Sequence, residues 1–325
     1  MKAILCKEFG PIESLVYEEI ESPKIAENQV LIEVKACGVN FPDTLMIQGK
    51  YQFKPAFPFS PGGEIAGIVK EVGEKVRHLK LGDRVFSLTG HGGFAEQAIG
   101  DATKTFPMPP DMDFVTAAST MYTYGTSYHA LKDRANLKEG ETLLVLGAAG
   151  GVGLAAVQLA KLMGAKVIAA ASNSEKLAVC KQLGADEIIN YEVDDIKEKV
   201  KELTAGKGVD VVYDAVGDRY AEPAIRSLAW KGRYLVVGFA AGEIPKIPLN
   251  LALLKGASIV GVFWGMFAQN EPIQSMQNFM EILGFIKEGK LKQHIYKIYP
   301  LVDAKNALID LANRKVVGKC VVDCN

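Results

Sequence analysis

Cysteine is scarce and scattered. Cys6, Cys37, Cys180, Cys320 and Cys324 are an odd number with no C-x-x-C pair among them, which argues against a disulfide framework and for a reducing compartment. Histidine is rarer still: His78, His91, His129 and His294 stand far apart, and Cys320-x-x-x-Cys324 has no partner pair. Neither the three ligands and open position of a catalytic zinc nor the four ligands of a structural zinc can be assembled by spacing, so no metal site is expected. No Ser/His/Asp or Cys/His grouping stands out either. Charge of one sign is also lacking. With 37 Lys+Arg against 38 Asp+Glu the formal charge is −1, which leaves no basic surplus for gripping a nucleic-acid backbone. The start places Lys2, Lys7 and Glu8 around too short an apolar stretch for a signal-peptide core, so a cytosolic protein is expected. The longest uncharged run, Thr142 to Ala160, is interrupted midway by Gly150-Gly151 and Gly153. It reads as strand, turn and helix rather than as a membrane span.

What is present is an ordinary globular balance, 49% hydrophobic and 23% charged over 325 residues, a length that suggests two domains. From Val30 to Ala36 apolar residues occupy alternate positions, with Glu33 and Lys35 turned the other way, the pattern of a half-buried strand. Further strand-like runs (Ile65–Val72, Arg84–Leu88, Phe94–Ile99) lie between glycine-containing turns, which predicts an all-β unit of barrel or sandwich type closed by Pro107–Pro110. After residue 115 the texture changes. Strands at Leu143–Leu146, Val167–Ala170, Glu187–Ile189, Val209–Tyr213 and Arg233–Val237 alternate with helical segments, and Ser258–Phe263 reads as a sixth strand. That alternation predicts an α/β unit with a doubly wound parallel sheet covered on both faces. A last helix, Ile273–Lys287, leads to a closing strand at Lys319–Val322, with the tail expected to return to the first domain.

The most informative stretch runs from Leu143 to Gly153, where Gly147-Ala148-Ala149-Gly150-Gly151-Val152-Gly153 joins a buried strand to a helix. Residues without bulky side chains let a ligand approach the backbone there, and the amides and dipole of the helix start suit a pyrophosphate. Ala148 stands at the first position of the glycine fingerprint, followed by Gly150 and Gly153. The alternative, a glycine-rich turn serving only helix–strand packing, does not account for the repeated βα alternation around it. The second strand of the alternation ends Ala171-Ser172-Asn173-Ser174, with no acid before Glu175. A carboxylate there would accept from a ribose hydroxyl but repel a 2′-phosphate, whereas Ser172, Ser174 and Lys176 could donate to one. NADPH is therefore preferred to NADH, with a solvated residue at the start of a helix as the alternative role of Lys176, and with no other catalytic grouping in view the chemistry is expected to be the cofactor's.

These residues, together with Gly38-Val39-Asn40-Phe41-Pro42-Asp43, Gly49-Lys50-Tyr51, Pro61-Gly62-Gly63-Glu64, Gly82-Asp83-Arg84-Val85 and Val236-Val237-Gly238-Phe239, resemble the medium-chain dehydrogenase/reductase superfamily. Within it the chain is similar to the zinc-independent, zeta-crystallin-like quinone oxidoreductases, over essentially its whole length. The resemblance implies a GroES-like β-barrel domain (1–120), an inserted Rossmann domain (121–265) and a return segment completing the barrel (266–325), with the active site in the cleft between the domains. It implies Asn40 and Gly63 at positions where zinc-dependent relatives carry ligands. It adds Tyr191 and Arg314 to Lys176 as the holders of a 2′-phosphate, and Gly238 and Phe239 to the cofactor set. It implies that Asn40, Asp43 and Tyr51 line the substrate site, Asn40 bonding a substrate oxygen, Tyr51 orienting it or supplying a proton and Asp43 supporting both. A helix cap and a packing aromatic remain the alternative roles of Asp43 and Tyr51. Leu45 stands where some relatives have an aromatic. The resemblance further implies a quinone, or another electrophile such as an enone, alkenal or enoyl-CoA, as acceptor, and a homodimer joined along the edge strand near Ser258–Phe263.

Overall fold

The computed structural model describes all 325 residues, which divide into two compact units: Met1–Tyr122 with Ile295–Asn325, and Thr123–His294. The first unit opens with an antiparallel pair, β1 (Lys2–Leu5) and β2 (Val16–Glu19). The long β3 (Gln29–Val39) follows and realises the alternation of its sequence. Val30, Ile32, Val34 and Ala36 are buried, while Glu33 and Lys35 pair with each other at 2.5 Å on the opposite face. Helix α1 (Phe41–Ile47) leads to β4 (Glu64–Val72), β5 (Arg84–Leu88), β6 (Gln97–Asp101), β7 (Thr105–Pro107) and the short α2 (Phe114–Ala117). Strand β6 starts at Gln97, later than its apolar run suggests. Phe94 spends its backbone on long-range bonds instead, donating to Pro61 O at 2.9 Å and accepting from Ile4 N at 2.8 Å.

The second unit takes up the chain within α3 (Met121–Tyr128), which continues as a π-helical turn at His129–Arg134. Its strands and helices then alternate: β8 (Thr142–Leu146), α4 (Gly151–Leu162), β9 (Lys166–Ala171), α5 (Ser174–Gln182), β10 (Glu187–Asn190), α6 (Ile196–Leu203), β11 (Val209–Asp214), α7 (Ala221–Arg226), β12 (Leu228–Val236), α8 (Asn250–Lys255) and β13 (Ser258–Gly261). All six strands are parallel, in the order β10-β9-β8-β11-β12-β13. The order reverses beside β8, and in such sheets ligands bind beyond the carboxyl ends of the strands at this switch point. The uncharged run from Thr142 is thus β8, a turn and α4, and no helix is long and apolar enough to cross a membrane.

Helices α9 (Trp264–Asn270) and α10 (Pro272–Lys287) also belong to the second unit, so the return begins at Ile295 and not near residue 266. Polar contacts explain the difference. Asn278 Nδ2 donates to Asp133 Oδ2 at 2.7 Å, Lys132 Nζ bonds Glu281 at 2.7 Å, and the His129 ring stacks on Phe267 with centroids 3.8 Å apart. The two hydrogen bonds tie α10, and the ring stack ties α9, to the π-helical turn. The chain then completes the first unit with β14 (Ile295–Pro300), α11 (Ala304–Ala312) and β15 (Lys319–Asp323). The resulting sheet has the order β14-β15-β3-β4-β5-β7, with β6 along the first half of one β3 edge and β15 along the second.

Candidate active site

The glycine turn stands at the carboxyl end of β8. Gly147 adopts φ +67°, and Ala148 donates its N–H to Ala170 O at 3.0 Å, which ties the turn to the neighbouring β9. Gly153 is required by contact: a Cβ there would lie 2.2 Å from Gly147 O. Gly150 is different. Its Cβ would meet only Gly147 O, at 3.4 Å, so the space above it is open. Gly150 is also the N-cap of α4, with no side-chain cap, and the first-turn amides Gly151, Val152 and Gly153 have no intrahelical acceptor. Room at Gly150 and uncapped amides at the positive end of a 12-residue helix are what an anion would need.

Of the residues predicted to hold a 2′-phosphate, Lys176 and Tyr191 lie in the same unit as the glycine turn. Asn190 pairs with Ala171, so the chain leaves β9 and β10 side by side at Ser172 and Tyr191. Lys176 Nζ donates to Ser172 Oγ at 3.2 Å, while the Lys176 N–H is capped by Asn173 Oδ1 at 2.9 Å. Tyr191 packs on Tyr220, with ring centroids 4.5 Å apart. Gly238 and Phe239 follow β12: the Gly238 N–H bonds Asp214 O at 3.2 Å, and the Phe239 ring covers Gly217. Buried Asp214 accepts from the Val216 and Gly217 amides at 2.7 and 2.8 Å and from the Tyr234 hydroxyl, and so fixes the loop after β11. Sequence reasoning passed over it, although an acid closing the apolar strand Val209–Tyr213 is a signal. Arg314 lies in the first unit, in the turn after α11.

The first unit gathers Asn40, Asp43 and Tyr51 around the start of α1. Asp43, 2% exposed, accepts from the Asn40 N–H at 2.7 Å through Oδ2 and from the Gly62 N–H at 3.3 Å through Oδ1. The helix-cap role is therefore real. Burial pushes the Asp43 carboxyl up to about 7, against those two amides and the Lys319 charge, which pull it down. Tyr51 is half-buried against the core of this unit, and its hydroxyl is pushed up by burial and then by the charge of Asp43. Tyr122 is raised for the same two reasons, in the same order. Asn40 is heavily bonded: Nδ2 donates to Gly38 O at 3.2 Å and Glu64 Oε2 at 3.0 Å, and Oδ1 accepts from Lys319 Nζ at 2.7 Å. Both amide hydrogens are committed, so donation to a substrate oxygen would require one of these bonds to break. Sequence reasoning did not single out Glu64, Tyr122 or Lys319 for a role. The one buried side-chain atom without a hydrogen-bond partner is Thr89 Oγ1, in the turn closing over Gly63.

This donor set does not fit a zinc ion. A Cβ at position 63 would sit 2.7 Å from Gly90 O, so no imidazole can be carried there on this backbone. Asn40 offers an amide oxygen already bound to an ammonium. The thiol of Cys37 is fully buried and pushed far above its ordinary range by that burial, the opposite of what a thiolate ligand requires. No group of three His, Cys, Asp or Glu side chains is arranged to hold a metal.

Comparison with known proteins agrees with this architecture. The chain matches the family model described as zinc-binding dehydrogenase over residues 151–282 and that of the alcohol dehydrogenase GroES-like domain over residues 26–110. It is 41% identical over 326 residues to a quinone oxidoreductase-like protein 2 homolog of Nematostella vectensis, covering 99% of this chain and 88% of the relative. Among solved structures it resembles Escherichia coli quinone oxidoreductase complexed with NADPH, with 32% identity, a TM-score of 0.92 and coverage of 99% and 100%. It also resembles CurK enoyl reductase, with 29% identity, a TM-score of 0.89 and coverage of 99% and 98%. With a GroES-like unit, a doubly wound unit and relatives of this likeness along nearly its entire length, the chain belongs to the quinone oxidoreductase family of the medium-chain dehydrogenase/reductase superfamily.

Proposed function

We propose that the protein is an NADPH-dependent oxidoreductase that reduces a quinone without a zinc ion. The observation that carries the cofactor half is the cluster of Lys176, Ser172 and Tyr191 at adjoining strand ends, on a segment with no acid before Glu175. A solved relative from Escherichia coli holds NADPH. Gly150 leaves room for the diphosphate, the amides of Gly151, Val152 and Gly153 face it, and Gly147 and Ala148 shape the turn beneath. Gly238 and Phe239 border the same sheet end.

When bound, the reduced nicotinamide supplies a hydride to an electron-poor acceptor. A quinone is electrophilic enough to accept it without a Lewis acid, which suits a donor set unfit for zinc. The quinone names among the relatives support this acceptor class. Tyr51 would then give its hydroxyl proton to the reduced oxygen, and Asp43, held near neutrality in its titration, would share in restoring it. Asn40 frames the site.

A second reading is reduction of an activated C=C bond. The likeness to an enoyl reductase favours it, as does the group of Asp43, Tyr51 and Tyr122, since hydride addition at the β-carbon leaves an α-carbon that needs a proton. Initial rates of NADPH oxidation with 9,10-phenanthrenequinone and with crotonyl-CoA separate the two readings. Loss of both activities, in protein that binds NADPH, removes both.

The edge strand β13 pairs only with β12. Ile259, Leu253, Leu254 and Phe263 are exposed on or near it. We take this unpaired, apolar edge as the seam of a homodimer.

A further inference from the structure

We propose that Lys319 is a positioning residue of the acceptor site, its buried ammonium locking the Asn40 carboxamide and Glu64 into a single arrangement at the start of α1. The inference rests on the reading of Asn40, Asp43 and Tyr51 as the acceptor site. It starts from a charge in an unfavourable place. Lys319 opens β15 inside the apolar stretch Val316–Val322 and is only 5% exposed, and an ammonium is almost never buried unless paired. Its three hydrogens meet three acceptors: Asn40 Oδ1 at 2.7 Å, Val39 O at 3.1 Å and Glu64 Oε2 at 3.1 Å. The register that pairs Cys320 with Val39 is what puts the lysine opposite Asn40.

This arrangement leaves the amide one orientation. With Oδ1 on the ammonium, Nδ2 must turn to Gly38 O and Glu64 Oε2; a flipped amide would set NH₂ against NH₃⁺. The other Glu64 oxygen accepts the Tyr122 N–H at 3.0 Å, so the lock also holds the start of α3. Through the Asn40 backbone N–H it reaches Asp43, which in addition feels the lysine's charge directly. A buried ion pair is not a cheap source of stability, because well-packed apolar side chains usually serve as well. Orientation is what apolar side chains could not supply. Asn40 is accordingly a strut, and the hydroxyl of Tyr51 is left as the group that meets the acceptor.

The test uses the full-length protein carrying Lys319→Met together with Glu64→Gln, a neutral pair of similar volume, since Lys319→Met alone strands a buried carboxylate. Three readouts are taken: NADPH affinity, kcat with a quinone across pH, and solvent exchange of the Asn40 side-chain amide by NMR, its signal assigned by loss in Asn40→Asp. The expected result is NADPH affinity within twofold of wild type, amide exchange at least tenfold faster, kcat at least tenfold lower, and an inflection of kcat moved to higher pH. A folded variant with wild-type exchange overturns the proposal. So does one with faster exchange but unchanged kcat and inflection, because the lysine would then be structural only. If the double variant does not fold, Lys319→Arg takes its place, keeping the charge but not the geometry: lower kcat with an unmoved inflection supports the lock, and unchanged kcat overturns it. Wild-type protein that reduces no quinone refutes the functional reading, and amide exchange then decides the lock by itself.

Discussion

Gly150 is the sharpest place to test the anion cradle, because neighbouring glycines of the turn respond to a methyl group in opposite ways. In Gly150→Ala the new Cβ meets a single atom, Gly147 O at 3.4 Å, an ordinary contact, and the backbone at φ −75°, ψ 170° is open to alanine. Two small effects on stability oppose each other: a poorer N-cap costs on the order of 0.5–1 kcal/mol, and a stiffer unfolded chain returns about 0.4–1 kcal/mol. The melting temperature should therefore move by no more than about 3 °C. The same methyl fills the space over the first-turn amides of α4. A phosphate oxygen displaced from them loses at least one charge-assisted hydrogen bond, about 1.5–3 kcal/mol, so NADPH should bind tenfold or more weakly. In Gly153→Ala the Cβ would lie 2.2 Å from a carbonyl oxygen, and this variant should lose stability before it loses anything else. Calorimetric titration with NADPH, beside thermal unfolding of each variant, gives both numbers. A folded Gly150→Ala protein binding NADPH within threefold of wild type would falsify the cradle.

Four further outcomes are expected. Lys176→Ala should raise KM for NADPH roughly ten- to a hundredfold, the worth of one hydrogen bond to a charged group, and leave KM for NADH nearly unchanged; an equal rise for both would detach Lys176 from the 2′-phosphate. Tyr51→Phe should lower kcat about a hundredfold with NADPH affinity retained, and unchanged turnover would take Tyr51 out of the reaction. Asp43 should leave a mark on stability: with its folded carboxyl raised to about 7 and its unfolded one near 4, the stability it permits is whole below pH 4 and is lost as pH rises through 7, on the order of 4 kcal/mol at most. Chemical denaturation of Asp43→Asn between pH 4 and 7 should lack that slope, whatever constant offset the amide introduces, and an unaltered slope assigns the titration elsewhere. Ile259→Lys should halve the mass seen by light scattering if β13 is the dimer seam, and an unchanged mass rules the seam out.

What could be read from the sequence follows the range of the interactions concerned. The alternation of β3 from Val30 to Ala36 was legible because burial on one face imprints a period of two on neighbouring residues, and β5 was legible as a short run bounded by turn signals. The parallel sheet was legible because each of its units is a local βα pair. The same holds for the site. The turn from Gly147 to Gly153 and the Ser172–Lys176 pair each lie within a few residues, and the chemistry at the end of a strand is set there. Phe94, by contrast, is bonded to Pro61 and Ile4, and α9 and α10 are held to the second unit by side chains of the π-helical turn. Nothing in their own patterning reports those partners.

The proposed acceptor site shows the same division in a single residue. Asn40 at a position where zinc-dependent relatives carry a ligand reads, in sequence, as a loss. In the structure it belongs to a set that is complete in another way: a cation, Lys319, sits 2.7 Å from its oxygen, a carboxylate, Glu64, takes its nitrogen, and the backbone at Gly63 closes off the room an imidazole would need. The lysine comes from 279 residues away along the chain, so the return of the last strand is what brings it to Asn40. One local hint existed. A charged residue within Val316-Val317-Gly318-Lys319-Cys320-Val321-Val322 is costly to bury without a partner, and the search for that partner would have led to Glu64, the one acid in the buried stretch that begins β4. Read in this way, an isolated charge in an apolar strand is a question about tertiary structure, and its answer here lies beside the groups proposed to act on the acceptor.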